Sequence, residues 1–315
     1  MALDKVLEEY LNRFAHLNRA PNTRLGRAPH KPVLLLTLLD AVDQGMVNQN
    51  FVPITPELAA LFRQHWESLV IPGTWQEKMN LPFRHLLHER FWELVKDGQP
   101  QTEDMVGQPS SLLQLALRVD GGRFSSDLWR LLQDPTARAA LRSQLLQTYF
   151  ADAELLPIDP PADILVRETA RLLTEASAKF RIHLPRVEED AGAFVRHSLF
   201  PTVVKNLYGQ ACAVCRADTR ANTGRMIVDA AHILPFAKHH NDDPRNGIAL
   251  CKNHHWSFDA GAFGVADDYR IIVSRRIGES VPLVTAGILL GLPLKIEYAP
   301  AVEALRWHRQ NVLLR

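Results

Sequence analysis

Two short cysteine motifs in the C-terminal half constrain the fold more than any other feature. The chain contains three cysteines, and all of them lie in the motifs CAVC and CKNHH. Cys212 and Cys215 form a CxxC pair, and Cys251 with His254 forms a CxxH pair. Two such pairs supply the four ligands of a tetrahedral structural zinc site, whereas three unrelated free thiols would not produce two matching gaps. We therefore predict that these four residues bind Zn²⁺, which stabilises a small folded unit.

Composition limits the class of protein. The chain has 315 residues, 46% hydrophobic and 23% charged, which is enough for two ordinary cores in a soluble protein. Its most apolar run, VPLVTAGILLGLPL, is too short to span a membrane, so we expect no membrane partner. Three cysteines cannot all pair within one chain, which favours a reducing, cytoplasmic location. The net charge is only +1, so a nucleic-acid partner requires local basic patches.

One segment of the chain has the composition of a domain boundary, which we call the seam. The segment DAELLPIDPPAD, residues 152–163, combines acidic residues with three prolines and favours an extended connector. We predict a mainly helical domain at 1–155, a linker with a connecting helix at 156–190, and a second domain at 191–315.

Local patterns indicate an α+β fold. The segment KPVLLLTLLDAVDQG predicts a buried helix, and TPELAALFRQHWESLV predicts a helix with Thr55 as its N-cap. After the seam, ADILVRETARLLTEASAKF and AFVRHSLFPTVVKNLYGQ predict two further helices. The segments MIVDAAHI and YRIIVSRRI have the composition of strands.

The region around the cysteines contains a second pattern. His232 in AAHI, Asn246 in NGIALC and His255 in HHWSFDAG follow one another at intervals of 14 and 9 residues. In this order the motifs resemble those of the HNH endonuclease family, over about residues 193–265. The resemblance implies a ββα-metal domain clamped by zinc, in which His254 replaces the fourth cysteine of the family pattern.

The chemistry of phosphodiester hydrolysis is consistent with this resemblance. A neutral histidine can take the proton of the attacking water, a role that falls on His232. His255 begins the helix of the motif, and Asp259 lies one helical turn later, so both are expected to bind a catalytic Mg²⁺ or Mn²⁺. The resemblance implies that Asn246 bridges the loop backbone and orients His232.

The metal shell departs from the family pattern at Ala231, where many HNH enzymes carry an acidic or histidine ligand. Asp229 is a substitute ligand, although alternation along a strand predicts that its side chain and that of His232 lie on opposite faces. Taken singly, His232 is as readily explained as a core histidine as by catalysis, and Asp259 as readily as a helix-capping residue. Their joint spacing favours catalysis.

The N-terminal domain carries a basic segment before the first buried helix. The sequence NRAPNTRLGRAPHKP contains four basic residues and no acid, so it is either a solvated loop or a phosphate site at a helix N-terminus. Together with LPFRHLLHERFWEL it resembles the N-terminal domain of predicted HNH restriction endonucleases, in particular the sulfur-binding domain of McrA-type enzymes that cleave phosphorothioate-modified DNA.

That resemblance implies a DNA site with an apolar pocket for sulfur, over about residues 1–150. Leu81 stands where the family has tyrosine, and Lys31 where it has arginine. The implied DNA-binding residues are Arg24, Arg27, His30, Lys31, Leu81, Pro82 and His85.

Together these features predict a DNA endonuclease of restriction type that acts in defence on double-stranded, modified DNA. Because one active site cuts one strand, double-strand cleavage implies either two chains, as in a homodimer, or two successive binding events by one chain. Two alternatives stay open. One is a zinc-dependent DNA-binding protein with an inactive centre, and the other is a nuclease whose N-terminal domain binds a protein partner.

Overall fold

The structure is a computed structural model that describes residues 2–153, 161–175, 180–182, 190–217, 228–276 and 284–314. Most of the predicted connector and the first two residues of the predicted strand MIVDAAHI lie outside these ranges. The chain divides into two compact units, which we describe separately. Unit 1 comprises Met1–Arg167 and Glu188–Val195, and unit 2 comprises Glu168–Val187 and Arg196–Arg315.

Unit 1 is mainly helical. Its helices are α1 (Ala2–Ala15), α2 (His30–Asp43), α3 (Pro56–Leu69), α4 (Asn80–His85), α5 (Glu103–Val106), α6 (Leu112–Arg118), α7 (Ser126–Leu131) and α8 (Pro135–Tyr149). Its strands are β1 (Pro21–Asn22), β2 (Gly26–Arg27), β3 (Val52–Pro53), β4 (Trp92–Lys96), β5 (Gln99–Gln101) and β6 (Gly121–Phe124).

The two helices predicted in this unit are confirmed. Helix α2 is buried along nearly its whole length, because apolar side chains surround it, and it packs against α3, α4 and α8. Helix α3 begins after Thr55, whose side chain accepts a hydrogen bond from the N–H of Leu58 at 3.2 Å.

A four-stranded antiparallel sheet accompanies the helices, in the order β3, β6, β4, β5. Trp92 in β4 pairs with Phe124 in β6, and its indole N–H donates to the carbonyl of Phe83 at 3.0 Å. A side chain at Gly122 would overlap the Trp92 ring, so the pairing of β4 with β6 requires glycine there. The sequence patterns did not predict this sheet.

Two helices follow the seam, α9 (Pro161–Glu175) and α10 (Asp190–Leu207), as predicted. The division between the units falls within each of them. The remaining elements belong to unit 2, and they are β7 (Val228–His232), α11 (Phe236–His239), β8 (Gly247–Cys251), α12 (Lys252–Asp259), β9 (Phe263–Val265), β10 (Ile271–Val273) and α13 (Val302–Asn311).

The core of unit 2 forms where β7 and β8 pack against helices. Phe200 and Val204 of α10 meet Ile248 and Leu250 of β8, and Phe258 of α12 lies in the same buried cluster. The α+β prediction is thereby confirmed. Among the described residues, no helix is long and apolar enough to cross a membrane.

Candidate active site and metal centre

A ββα arrangement positions the site in unit 2. Strands β7 and β8 are antiparallel, with Val228 opposite Cys251 and His232 opposite Gly247. Helix α12 follows β8 directly, with Cys251 as its N-cap residue. A side chain at Gly247 would overlap Val204 and Phe200, so glycine allows α10 to approach the end of β7 where His232 lies.

The four residues of the cysteine motifs lie together and form the Cys3His cluster of Cys212, Cys215, Cys251 and His254. Their ligand atoms all lie within 4.8 Å of one another. The Nδ1 atom of His254 is 3.4 Å from Sγ of Cys212 and 3.1 Å from Sγ of Cys251. This donor set fits a tetrahedral metal ion.

The thiols also indicate a place for a cation. Burial acts to raise the pKa of Cys212, but hydrogen bonds from backbone N–H groups of the cluster outweigh it and lower the pKa to about 7. Burial, together with the neighbouring thiols, raises the pKa of Cys215 to about 11. The raised pKa of Cys215 means that a second thiolate beside Cys212 is unfavourable without nearby positive charge, which a bound metal ion would supply.

His255 lies between two carboxylates. Its Nε2 atom is 3.4 Å from Asp259 Oδ2, and its Nδ1 atom is 3.5 Å from Asp229 Oδ2. Partial burial opposes ionisation of Asp229, but hydrogen bonds from Lys252 and His255 lower its pKa. The two carboxylates therefore approach opposite nitrogens of one imidazole.

A pocket of about 330 Å³ joins His232, His255 and Asp259. Ala230 lines it beside His232, as alternation along β7 predicts, whereas Asp229 approaches His255 from outside the lining. Among the described residues, no group of three or more close metal-binding side chains lies in this pocket. His255 and Asp259 thus offer two protein ligands, and the open pocket leaves room for water and phosphate oxygens.

The surroundings of His232 fix its ring. The imidazole stacks on the Phe200 ring, with centroids 3.8 Å apart and planes 8° apart. Its Nε2 atom is 3.0 Å from Oδ1 of Asp242. Asn246 binds the adjoining loop backbone, because its side-chain oxygen accepts from the N–H of Leu234 at 2.8 Å and its amide donates to the carbonyl of Asn241 at 2.9 Å.

Three polar residues near the pocket were not predicted. Asp242 and His197 are close to His232, and His308 lines the pocket from α13. In the sequence, the two consecutive aspartates Asp242 and Asp243 shortly before Asn246 were a weak indication that a carboxylate lies near the site. Nothing local distinguishes His197 or His308, since only the folded chain brings α10 and α13 to this place.

The predicted DNA-binding residues of unit 1 differ in exposure. Arg24 and Arg27 are exposed on the β1–β2 hairpin. His30 is partly buried, packs against Trp66 and Trp75, and bonds the carbonyl of Gln76 at 2.8 Å; burial lowers its pKa.

Lys31 and Pro82 are buried, and the Lys31 ammonium forms an ion pair with Glu89. Leu81 on α4 is 43% exposed. His85 is half-buried and lies 3.7 Å from Glu103, to which His88 is also hydrogen-bonded. Burial first, and then the charge of Arg84, lower the pKa of His85. The exposed residues of the predicted site are therefore Arg24, Arg27 and Leu81, whereas His85 is only partly accessible.

Comparison with known proteins finds two family matches, one in each half of the chain. Residues 212–266 match the HNH endonuclease family, and residues 7–157 match the ScoMcrA-like DNA sulfur-binding domain. The chain thus carries a segment that matches the HNH endonuclease family and a segment that matches a DNA sulfur-binding domain, each over less than half of its length. Both resemblances inferred from the sequence are confirmed. No curated protein matches the chain.

Two solved structures of restriction endonucleases are similar to the chain. One is the modification-dependent TagI restriction endonuclease, at 24% identity and a TM-score of 0.32, and the match covers 38% of this chain and 39% of that one. The other is the type IV phosphorothioation-dependent restriction endonuclease ScoMcrA, at 13% identity and a TM-score of 0.32, with 80% and 94% covered.

Proposed function

We propose that the chain is a defence nuclease that hydrolyses phosphodiester bonds in phosphorothioate-modified double-stranded DNA. Residues 1–155 recognise the DNA, residues 156–190 connect, and residues 191–315 cleave. The observation that carries the proposal is the pocket in which His232, His255 and Asp259 meet within a segment of the HNH endonuclease family.

In this reaction His232 removes a proton from the attacking water. The water oxygen bonds to phosphorus, and the bond from phosphorus to the 3′ oxygen breaks, which leaves a 5′-phosphate and a 3′-hydroxyl. His255 and Asp259 would hold Mg²⁺ or Mn²⁺, with Asp229 bound to the other nitrogen of His255. When bound, the ion supplies positive charge for the leaving oxygen. Asn246 keeps the loop after His232 in place.

We assign Zn²⁺ to the Cys3His cluster, because three sulfur ligands and one imidazole suit zinc better than a hard cation. The cluster anchors Cys251 at the start of α12, so the ion would hold the catalytic helix against β8. Its role is structural, since all four ligands are supplied by protein.

The exposed surface of unit 1 supports DNA recognition. Arg24 and Arg27 supply positive charge for phosphates, and Leu81 offers an apolar contact for sulfur, which is larger and less hydrated than oxygen. Lys31 and Pro82 are buried and His30 is held by the carbonyl of Gln76, so we assign these three residues a structural role in unit 1.

Two further assignments accompany the proposal. Double-strand cleavage by a single-site nuclease requires two chains or two successive binding events by one chain, and of these we propose a homodimer on DNA. We also assign the chain to the cytoplasm, because its three cysteines lie in the proposed zinc site and form no disulfide.

The test is cleavage of plasmids from two hosts that differ only in phosphorothioate modification. We expect nicking and linearisation of the modified plasmid, and His232→Ala should slow cleavage by about 10²- to 10⁴-fold with DNA affinity retained. His16→Ala, a change at an exposed histidine that follows the last residue of α1, serves as the control.

Full cleavage by His232→Ala would reject the assignment of the base. Equal cleavage of both plasmids would reject modification dependence. Binding to DNA without any cleavage by the unaltered chain would favour the alternative of an inactive centre.

A further inference from the structure

A buried carboxylate lies behind the proposed base. Asp242 is only 7% exposed and lies in the loop between α11 and β8. Its Oδ1 atom is 3.0 Å from Nε2 of His232 and 3.5 Å from Nδ1 of His197 on α10. One carboxylate oxygen therefore faces two imidazoles.

Asp242 is held in its ionised form. Burial acts to raise its pKa, but the adjacent imidazoles of His197 and His232 outweigh that effect and lower it. A buried carboxylate is costly unless it is well partnered. The next residue, Asp243, is partnered differently, by groups with a purely structural role. It caps the following turn and binds the guanidinium of Arg245 at 2.7 Å.

The two contacts of His232 fix different degrees of freedom of its ring. Stacking on Phe200 fixes the plane of the imidazole, and the hydrogen bond to Asp242 fixes its rotation within that plane. His197 is itself packed against Phe236, with ring centroids 4.2 Å apart, so the carboxylate rests on a fixed second partner.

The hydrogen bond also selects a tautomer. A carboxylate only accepts, so the neutral imidazole must carry its proton on Nε2. The lone pair then resides on Nδ1, the nitrogen that Asp242 does not occupy. When Nδ1 takes the proton of the attacking water, the imidazolium that forms stands beside a negative charge.

We propose that Asp242 is the positioning residue of the base His232, and that His197 holds the Asp242 carboxylate in place. The inference rests on the proposed function, in which His232 accepts the proton of water. It assigns to this chain the aspartate–histidine arrangement that orients general-base histidines in other hydrolases.

The first test compares Asp242→Asn with Asp243→Asn in the full chain. Asp242→Asn should lower the single-turnover cleavage rate by between about 10-fold and about 10⁴-fold, the larger value being typical of a base histidine in the wrong tautomer. The dissociation constant for DNA should change little. The control Asp243→Asn should preserve the rate, because Asp243 binds Arg245 and not His232.

The second test does not depend on activity. Nitrogen NMR of the imidazoles, with His232 assigned from the His232→Ala spectrum, should show the Nε2–H tautomer in the unaltered chain. Asp242→Asn should produce a mixture of tautomers. Asp242→Glu retains the charge, so it should recover the tautomer and part of the cleavage rate. It also provides a second variant if the asparagine variant folds poorly.

The outcomes separate the two proposals. If the unaltered chain cleaves DNA and Asp242→Asn changes neither rate nor tautomer, the positioning role is wrong. If the unaltered chain cleaves no DNA, the proposed function is wrong, whatever the tautomer of His232.

Discussion

His308 illustrates how burial sets the protonation of a side chain that lines the pocket. It is 2% exposed and stacks on Phe258, with ring centroids 3.7 Å apart. Its Nε2 atom is 3.2 Å from the carbonyl of Phe258. Burial lowers the pKa of His308 to about 4, so the folded chain holds it neutral at physiological pH.

This depressed pKa predicts a loss of stability in mild acid. The pKa of a histidine in the unfolded chain is near 6.5. The contribution of neutral His308 to the free energy of unfolding is therefore complete above that pH and decreases as the pH falls towards 4. Between pH 7.5 and pH 5 the free energy of unfolding should fall by about 2 kcal/mol from this residue. Denaturant titration at both pH values measures it. His308→Gln should lose about 2 kcal/mol less on acidification, and an equal loss in both proteins would contradict the assignment.

Residues whose partners are near in sequence were the predictable ones. The Cys3His cluster and the pair of His255 with Asp259 follow from spacings of three and four residues, and the fold brings both sets together. Asp242 and His197 are distant in sequence and have no motif. Only the folded chain places Asp242 against His232, and His197 reaches Asp242 because α10 packs beside His232 through Phe200.

At the scale of elements, β8 and α12 form one continuous structure that serves two purposes. The strand ends at Cys251, and the first turn of α12 contains His254 and His255. His254 faces the Cys3His cluster, and His255 faces the pocket. Long helices such as α2 and α3 were predictable because an apolar pattern specifies each of them locally, and α3 has in addition the cap Thr55. The sheet of unit 1 was not, since β3 has two residues and pairs with the distant β6.

The adjacent histidines provide a matched pair for the proposed zinc site. His254→Ala should reduce bound zinc and lower the melting temperature of the full chain, because the ion contributes folding free energy. His255→Ala should keep the zinc and the melting temperature but lose cleavage. Elemental analysis and thermal unfolding measure the two properties. Zinc lost from His254→Ala without any change in melting would argue against a structural role.

At the scale of the whole molecule, charge limits how the chain finds DNA. A net charge of +1 gives little general attraction, so affinity must come from local groups such as Arg24 and Arg27. Salt weakens such contacts for any DNA sequence. An apolar contact with sulfur is much less sensitive to salt, because it releases no counterions.

Preference for phosphorothioated duplex should therefore survive added salt better than total affinity does. Binding is measured with the full chain carrying His232→Ala, so that cleavage does not interfere. Leu81→Ala should reduce the preference by about fivefold, the effect of losing about 1 kcal/mol of apolar contact. Arg24→Ala should weaken both duplexes alike and reduce the salt slope by about 1. Equal binding of both duplexes by the parent protein would reject sulfur recognition.

The adjacency of His254 and His255 changes how metal depletion must be interpreted. On the proposed zinc assignment, a chelator that strips the Cys3His cluster should release the first turn of α12, and His255 should lose its position together with His254. Activity lost on chelation therefore says nothing about which ion takes part in cleavage. On the proposed assignment, structure and cleavage should be restored by two different ions in a fixed order. Zinc restores the scaffold without restoring cleavage, and only a later addition of Mg²⁺ or Mn²⁺ reports on the reaction itself.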